Sequence, residues 1–307
     1  MTSAHSPSTT HVAATRETSR VALVTCTRMP DLHPDDQGLR AALRARGARV
    51  DAVSWDDPAV DWAGYDLAVL RSTWDYTQRR DEFVAWASRV PRLANPAPIV
   101  AWNTDKHYLR DLAAAGLPVT PTTFVEPGQR WTAPDSGVWV VKPAVSAGSL
   151  DTGRYEMPGA SHAATAHVDR LTAAGRTVMV QPYLEAVDTV GETTVLCFPD
   201  ATGALAYSHG VRKPAMLTGP DGGDPEPWAR ERIAACTPAP AELAVAERVL
   251  AAVPGGTGQL LYARVDLIPG PDGEPLLLEL ELTEPSLFFD HAPGAADRMA
   301  DAVLARA

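Results

Sequence analysis

The sequence predicts an α/β fold with α+β lobes, on three observations. Short apolar runs alternate with amphipathic stretches through residues 20–90, the pattern of βαβ units around a parallel sheet. Two of those runs open into polar loops, after Thr25 and after Leu70. In the last third, two apolar stretches carry charge at alternate positions, which gives strands one buried and one charged face.

The elements follow in order. Residues 21–25 are a strand that opens into a loop over 26–36, long for a βα connection. Residues 37–46 place Leu39, Ala42 and Leu43 at helical spacing, and Gly47 can close that helix in the left-handed conformation. Residues 50–53 and 66–70 predict two more strands, the second leading into Arg71-Ser72-Thr73-Trp74-Asp75-Tyr76. Residues 81–90 put Phe83, Val84, Ala87 and Val90 on one helix face. Sites in parallel sheets lie beyond the C-terminal strand ends, so both polar loops are candidates for binding. No G-x-G-x-x-G follows the first strand, which argues against a dinucleotide-binding dehydrogenase.

Prolines 96 and 98 punctuate the chain, and residues 99–102 predict a short strand. Asn103-Thr104-Asp105 offers N-cap chemistry for a helix to Ala115, with Lys106 in its first turn. Residues 138–143 predict a strand ending in Lys142, followed by a small-residue loop over 146–154. An Ala-rich helix over 160–174 closes at Gly175; its His162 and His167 read as surface residues, not catalysts. Residues 177–181 predict a strand that Pro182 breaks, and 213–230, rich in Gly, Pro and Asp, reads as a long loop. Residues 260–267 place Tyr262, Arg264 and Asp266 on one side of a strand. Residues 276–282 place Glu279 and Glu281 opposite Leu276, Leu278, Leu280 and Leu282.

The 307 residues are 45% hydrophobic and 21% charged, enough to bury a core in two or three subdomains. A net charge of −11 argues against nucleic acid and against an anionic membrane surface as partners. No apolar run approaches the ~20 residues of a membrane helix. Residues 1–19 lack the apolar core of a secretory signal and read as a disordered tail. Three widely spaced cysteines fit a reducing cytoplasm and exclude a disulfide scaffold. Of the 27 basic residues only Lys106, Lys142 and Lys213 are lysine. Where this chain uses a compact point charge instead of a guanidinium fork, phosphate is the ligand to consider.

Three acids on neighbouring strands, Asp266, Glu279 and Glu281, need cations if they are buried, because an unpaired buried carboxylate costs several kcal/mol. Mg²⁺ with phosphate oxygens satisfies that need, while the outer face of an edge strand is the plainer alternative. The order of parts decides between them. A helix-borne lysine, a strand-end lysine, a Gly/Ser loop, Val180-Gln181-Pro182-Tyr183-Leu184-Glu185, Gly191-Glu192, Arg212-Lys213, Arg264-x-Asp266 and Glu279-x-Glu281 succeed one another. That succession, over residues 103–286, resembles the ATP-grasp superfamily of glutathione-synthetase-like ligases.

The resemblance implies an ATP-grasp fold with an N-terminal α/β pre-ATP-grasp domain. Its boundaries would be a tail over 1–19, the pre-ATP-grasp domain over 20–102, an N-lobe with a lid loop over 103–180 and a C-lobe with the metal site over 181–307. It also implies roles. Lys106 and Lys142 would contact ATP phosphates, and the loop 146–153, with Ser146, Gly148 and Ser149, would cover them. The hinge Gln181, Tyr183 and Leu184 would pair with adenine, and Glu192 would bind ribose. Asp266, Glu279 and Glu281 would hold Mg²⁺, usually two ions, with Mn²⁺ as a substitute; many relatives have Asn at the position of Glu281. Arg264 and Arg212 would stabilise the transferring phosphoryl group.

For the acceptor, Arg28, Asp31, Arg71, Ser72, Thr73, Asp75 and Ser286 suit a small zwitterionic, amino-acid-like substrate, and a homo-oligomer is left open. The family's chemistry implies an ATP-dependent ligase that activates a carboxylate as an acyl phosphate. The phrases Thr25-Cys26-Thr27-Arg28-Met29-Pro30-Asp31 and Arg71 to Tyr76 are similar to those of D-cycloserine synthetases, the O-ureidoserine cyclases. The alternatives are an intermolecular amino-acid ligase and, in another class, a nucleotide-binding regulatory protein without turnover.

Overall fold

A computed structural model describes residues 18–215 and 233–307. The tail expected over 1–19 and the long loop expected over 213–230 therefore lie outside the described residues except at their edges. Three sheets organise the rest.

The first is parallel, in the order β2-β1-β3-β4, with β1 (Arg20–Thr25), β2 (Arg49–Ser54), β3 (Leu67–Ser72) and β4 (Leu93–Ala94). Alternation along β1 sends its side chains to two cores. Val21 and Leu23 meet Leu39 and Leu43 of α1 (Gln37–Ala45) and Met299 and Val303 of α8 (Ala295–Leu304). Ala22 and Val24 meet Phe83 and Trp86 of α2 (Arg80–Ala87) on the other face. Gly47, at φ +87°, closes α1 as its position required.

The second sheet is antiparallel, β5 (Thr123–Val125), β8 (Val178–Pro182), β6 (Gly137–Pro143) and β7 (Gly153–Met157), under α5 (Ser161–Ala173). The third is antiparallel in the order β11-β10-β9-β12-β13: β11 (Ala234–Cys236), β10 (Leu205–Lys213), β9 (Glu192–Pro199), β12 (Ala263–Pro269) and β13 (Pro275–Glu281). One of its faces packs on α4 (Tyr108–Ala114) and α7 (Pro240–Ala251) through Val195, Val265, Leu267 and Leu280. The other face is split: Leu196, Phe198 and Val211 join the core under β1, while Glu192, Asp266 and Glu281 border open space.

Several expectations change. Residues 99–102 form no strand but part of α3 (Ala97–Asn103), because Pro96 and Pro98 bracket a helix start whose Ile99 and Val100 serve two different cores. Asn103 consequently ends α3 and caps no following helix; its amide donates to the Leu280 carbonyl at 2.8 Å and its oxygen accepts the Leu282 N–H at 2.7 Å. Lys106 lies in the turn before α4, not within a first helical turn. Strict alternation over 276–282 fails at a bulge: Asp266 pairs with Glu279 but Leu267 with Leu277, so Leu277 is buried and Leu278 turns to the open face. His167 is buried against the Tyr155 hydroxyl at 2.8 Å, whereas His162 is exposed as expected. Strands β9 and β10 and helices α7 and α8 carry no expectation from the sequence. No helix among the described residues is long and apolar enough to cross a membrane.

Candidate active site

The open face of the third sheet, the inner face of the second and the C-terminal ends of the first enclose a cleft of about 800 Å³. That size is usual for a small-molecule site. Its floor is a charge array. Arg264 donates to both oxygens of Asp266, at 3.1 and 2.6 Å, and to Glu281 at 3.2 Å. Lys213 reaches Asp266 at 3.0 Å and Glu192 at 2.9 Å, and the Thr194 hydroxyl donates to Asp266 at 2.6 Å. Lys106 meets Glu279 at 3.1 Å and donates to the Ser146 carbonyl at 2.7 Å. Period-two geometry puts Arg264 and Asp266 on one face of β12, opposite Glu281 and Glu279 in the β13 register.

Each group is held by its element. The Lys106 N–H donates to the Ala144 carbonyl at 3.0 Å, and its neighbour His107 bridges Asp105 and Glu126 at 2.6 and 3.1 Å, which fixes the turn. Lys142 comes from the end of β6. Gly191, at φ +84°, lets the chain enter β9 so close to β10 that an added Cβ would stand 2.5 Å from the Lys213 carbonyl oxygen. The loop between β6 and β7 is anchored at Ser146 by Lys106 and at Asp151 by Arg176 and Arg170, and turns at Gly148 (φ +60°) and Ser149 (φ +56°).

Burial and charge set the protonation of the array. Burial would raise Asp266, but Arg264 and Lys213 outweigh it and hold the carboxyl well below its ordinary range. Burial likewise opposes Glu279, which Lys106 and Lys142 keep lowered. Glu281 is different: burial, with Glu279 and Asp266 close by, pushes it up to about 7 despite Arg264. Glu284, half-buried and within the field of Glu281, is pushed up to about 8. Burial also pulls Lys142 below the usual lysine value. Five carboxyl groups (Glu192, Asp266, Glu279, Glu281 and Glu284) thus share the cleft with four basic groups (Lys106, Lys142, Lys213 and Arg264), and two of the five, Glu281 and Glu284, are drawn towards the protonated form.

Most sequence-derived site residues line this one cleft. Lys106, Lys142, Ser146, Gly148 and Ser149 line it, together with Glu192, Arg264, Asp266, Glu279 and Glu281. Gln181, Tyr183 and Leu184 form its hinge, beside apolar Val140, Val187, Ile268 and Leu278. The hinge differs in detail from expectation. Gln181 spends its side-chain amide on Thr122 at 2.8 Å, Pro182 has no N–H, and the Tyr183 N–H is engaged by Val138 at 2.8 Å. Of the adenine pairing that the resemblance implied for this segment, Leu184 keeps an N–H with no backbone partner among the described residues. Gly153, expected in the lid, begins β7.

At the far end Arg28, Asp75 and Ser286 line the cleft, but four other substrate candidates do not. Arg71 is buried, donating to Asp36 at 2.8 Å and to the Pro285 carbonyl at 2.7 Å. Ser72 is buried and donates to Asp36 at 2.9 Å, and Thr73 is buried beside it. Asp31 is exposed on a turn away from the cleft, its carbonyl taken by Gln37. Arg212 is also misplaced. On β10 it points opposite to Lys213, towards the Val190 carbonyl at 3.5 Å, so Lys213 and not Arg212 faces the cleft. The lysine bias of the sequence and the alternation of the strand both carried that signal. Glu284 and Tyr76 were missed, because neither belongs to a spaced motif.

The array also decides whether a divalent metal fits. No three acidic or histidine side chains among the described residues converge on one point, since Asp266 is saturated by Thr194, Arg264 and Lys213. The all-oxygen donor set nevertheless matches a hard divalent cation.

Comparison with known proteins agrees with this geometry. A family model described as D-cycloserine synthetase DcsG, N-terminal domain, matches residues 21–95. The chain is 39% identical over 301 residues to the cycloserine biosynthesis protein DcsG of Streptomyces lavendulae, spanning 93% of this chain and 98% of that protein. The crystal structure of D-cycloserine synthetase DcsG superposes with a TM-score of 0.81 at 36% identity, over 94% of this chain and 99% of that one. The fold extends to D-alanyl-alanine synthetase A of Vibrio cholerae, with a TM-score of 0.66 at 13% identity over 95% and 99% of the two chains.

Proposed function

The chain belongs to the D-cycloserine synthetase family of ATP-grasp ligases, and on that premise we propose that it closes O-ureido-D-serine into D-cycloserine, using ATP and Mg²⁺. The observation that carries this reading is the continuity of one cleft from the lysine and arginine array to Arg28, Asp75 and Ser286. A phosphoryl donor and a small zwitterion fit end to end in it.

Lys106 and Lys142 take phosphate oxygens, while Lys213 and Arg264 face the transferring group, where fixed positive charge counts most. Asp266, Glu279 and Glu281 would hold Mg²⁺, as two ions for which Mn²⁺ would substitute, with Lys213 and Lys106 turned from them towards phosphate. Bound Mg²⁺ supplies neutralisation of β- and γ-phosphate charge. The loop over 144–152 covers the phosphates and keeps water from the activated acid.

The bond changes balance. A carboxylate oxygen of the substrate bonds to the γ-phosphorus as the bond to the β-phosphate oxygen breaks, giving ADP and an acyl phosphate. The ureido nitrogen attached to oxygen then attacks the acyl carbon, and phosphate leaves as that nitrogen gives up its proton. Water finally removes the carbamoyl group as carbon dioxide and ammonia. Attack within one molecule carries an effective molarity of ~10⁵ M or more, so the cleft needs no second amine subsite.

Steady-state ADP release tests the reading. The cyclase releases ADP with O-ureido-D-serine alone and gains nothing from added amino acids. ADP release that requires a second amine, with a dipeptide product, would replace it by the intermolecular ligase.

A further inference from the structure

We propose that Glu284, held by Tyr76, receives the α-ammonium group of the substrate and so selects α-amino acids from other carboxylic acids; this rests on the cyclase reading above. In an α-amino acid the nitrogen stands only about 2.5 Å from the carboxyl carbon, two bonds away. Whatever receives the ammonium must therefore border the phosphoryl-transfer site.

The cleft carboxylates can be taken in turn. Asp35 spends its oxygens on the N–H groups of Leu287, Phe288 and Phe289, at 3.1, 2.9 and 2.8 Å. Asp75 accepts the Trp55 indole N–H at 2.9 Å and faces Arg79 at 3.5 Å. Glu192, Asp266, Glu279 and Glu281 are paired with Lys213, Arg264 or Lys106. Asp290 stands on the exposed rim. Glu284 is half-buried and bonded to the Tyr76 hydroxyl, and it feels Glu281, Lys106 and Glu279, which places it beside the transfer site. No cation among the described residues pairs with it.

Its backbone is also fixed. The Glu284 carbonyl accepts the Trp74 indole N–H at 3.0 Å, and the next carbonyl accepts Arg71 at 2.7 Å. A carboxyl group with no cation paired to it, set on a rigid frame that lines the cleft, is built for a cationic ligand.

The test compares ADP release from O-ureido-D-serine and from 3-(ureidooxy)propanoic acid, the same molecule without its amino group. The wild type should prefer the amino acid by about 100-fold or more in kcat/KM. Glu284→Gln keeps the shape and an acceptor for Tyr76. It should erode that preference about 10- to 100-fold by raising KM for the amino acid, with the des-amino compound and KM for ATP unchanged. Tyr76→Phe should move the preference a few-fold in the same direction. Asp290→Asn should leave it intact. Equal losses on both compounds in Glu284→Gln, or a loss of preference in Asp290→Asn instead, would overturn the proposal. A wild type that releases no ADP with either compound would overturn the cyclase reading itself, and this proposal with it.

Discussion

Two buried arginine–aspartate pairs in this molecule look alike and behave differently. Arg71 and Asp36 have side chains 1% and 3% exposed; Arg264 and Asp266 have side chains 9% and 2% exposed. The first pair is closed. Arg71 is completed by the Leu70 and Pro285 carbonyls and Asp36 by the Ser72 hydroxyl, and the network joins the first sheet to the segment after β13. The second is crowded. Asp266 shares Arg264 with Glu281 and also takes Lys213 and Thr194, with Glu279 and Lys106 adjacent. Burial therefore does not separate architecture from chemistry here; closure of charge does. A closed pair has nothing left to offer a ligand, whereas a crowded one has partners to exchange for the phosphate and metal of the proposed function.

The largest effect should come from the crowded network. Glu279→Gln should lower kcat by about 10²- to 10³-fold, with circular dichroism and the unfolding midpoint near wild type. Near-wild-type turnover at ordinary Mg²⁺ would show that the array is architectural too. Next, Arg71→Met should cost about 3 kcal/mol in urea unfolding, because it strands Asp36 in the interior. Arg264→Met should cost less stability, since Lys213 still faces Asp266, while it removes activity. A reversed order of the two would break the comparison. On β10 the contrast is finer: Lys213→Ala should reduce kcat/KM about 10- to 100-fold, and Arg212→Ala should stay within about twofold.

The smallest effect lies on the closed side of the third sheet. His209 is buried, one ring nitrogen 2.8 Å from the Leu287 carbonyl, and burial pulls it down to about 4. The unfolded chain then takes up the proton first, near pH 6.5. Its share of stability is complete above that pH and is lost as pH falls towards 4. The loss between pH 6.5 and 5.5 should be about 1 kcal/mol, and His209→Gln should flatten that slope.

The sequence made the strand-borne groups legible because alternation fixes which side chains share a face; Arg264 with Asp266 and Glu279 with Glu281 needed no tertiary information. The same rule, applied to Arg212-Lys213, had the means to choose Lys213. Arg71 and Ser72 misled because a polar strand end in a parallel sheet reads as a site, and only the tertiary approach of Asp36 and Pro285 closes it. The helix at Ala97–Asn103 was hidden by β-branched Ile99 and Val100, whose burial in two cores outweighs their strand preference. Glu284 had no periodic signal at all, since it lies past the end of β13 and owes its place to the Trp74 and Arg71 hydrogen bonds.

The proposed reaction requires the crowded array to transfer a phosphoryl group to the substrate's own carboxylate. O-ureido-D-serine labelled with ¹⁸O in that carboxylate tests it directly, by mass analysis of the phosphate released in a single turnover. One labelled oxygen in each phosphate is the result the account predicts. Phosphate without label, formed while D-cycloserine accumulates, would contradict it.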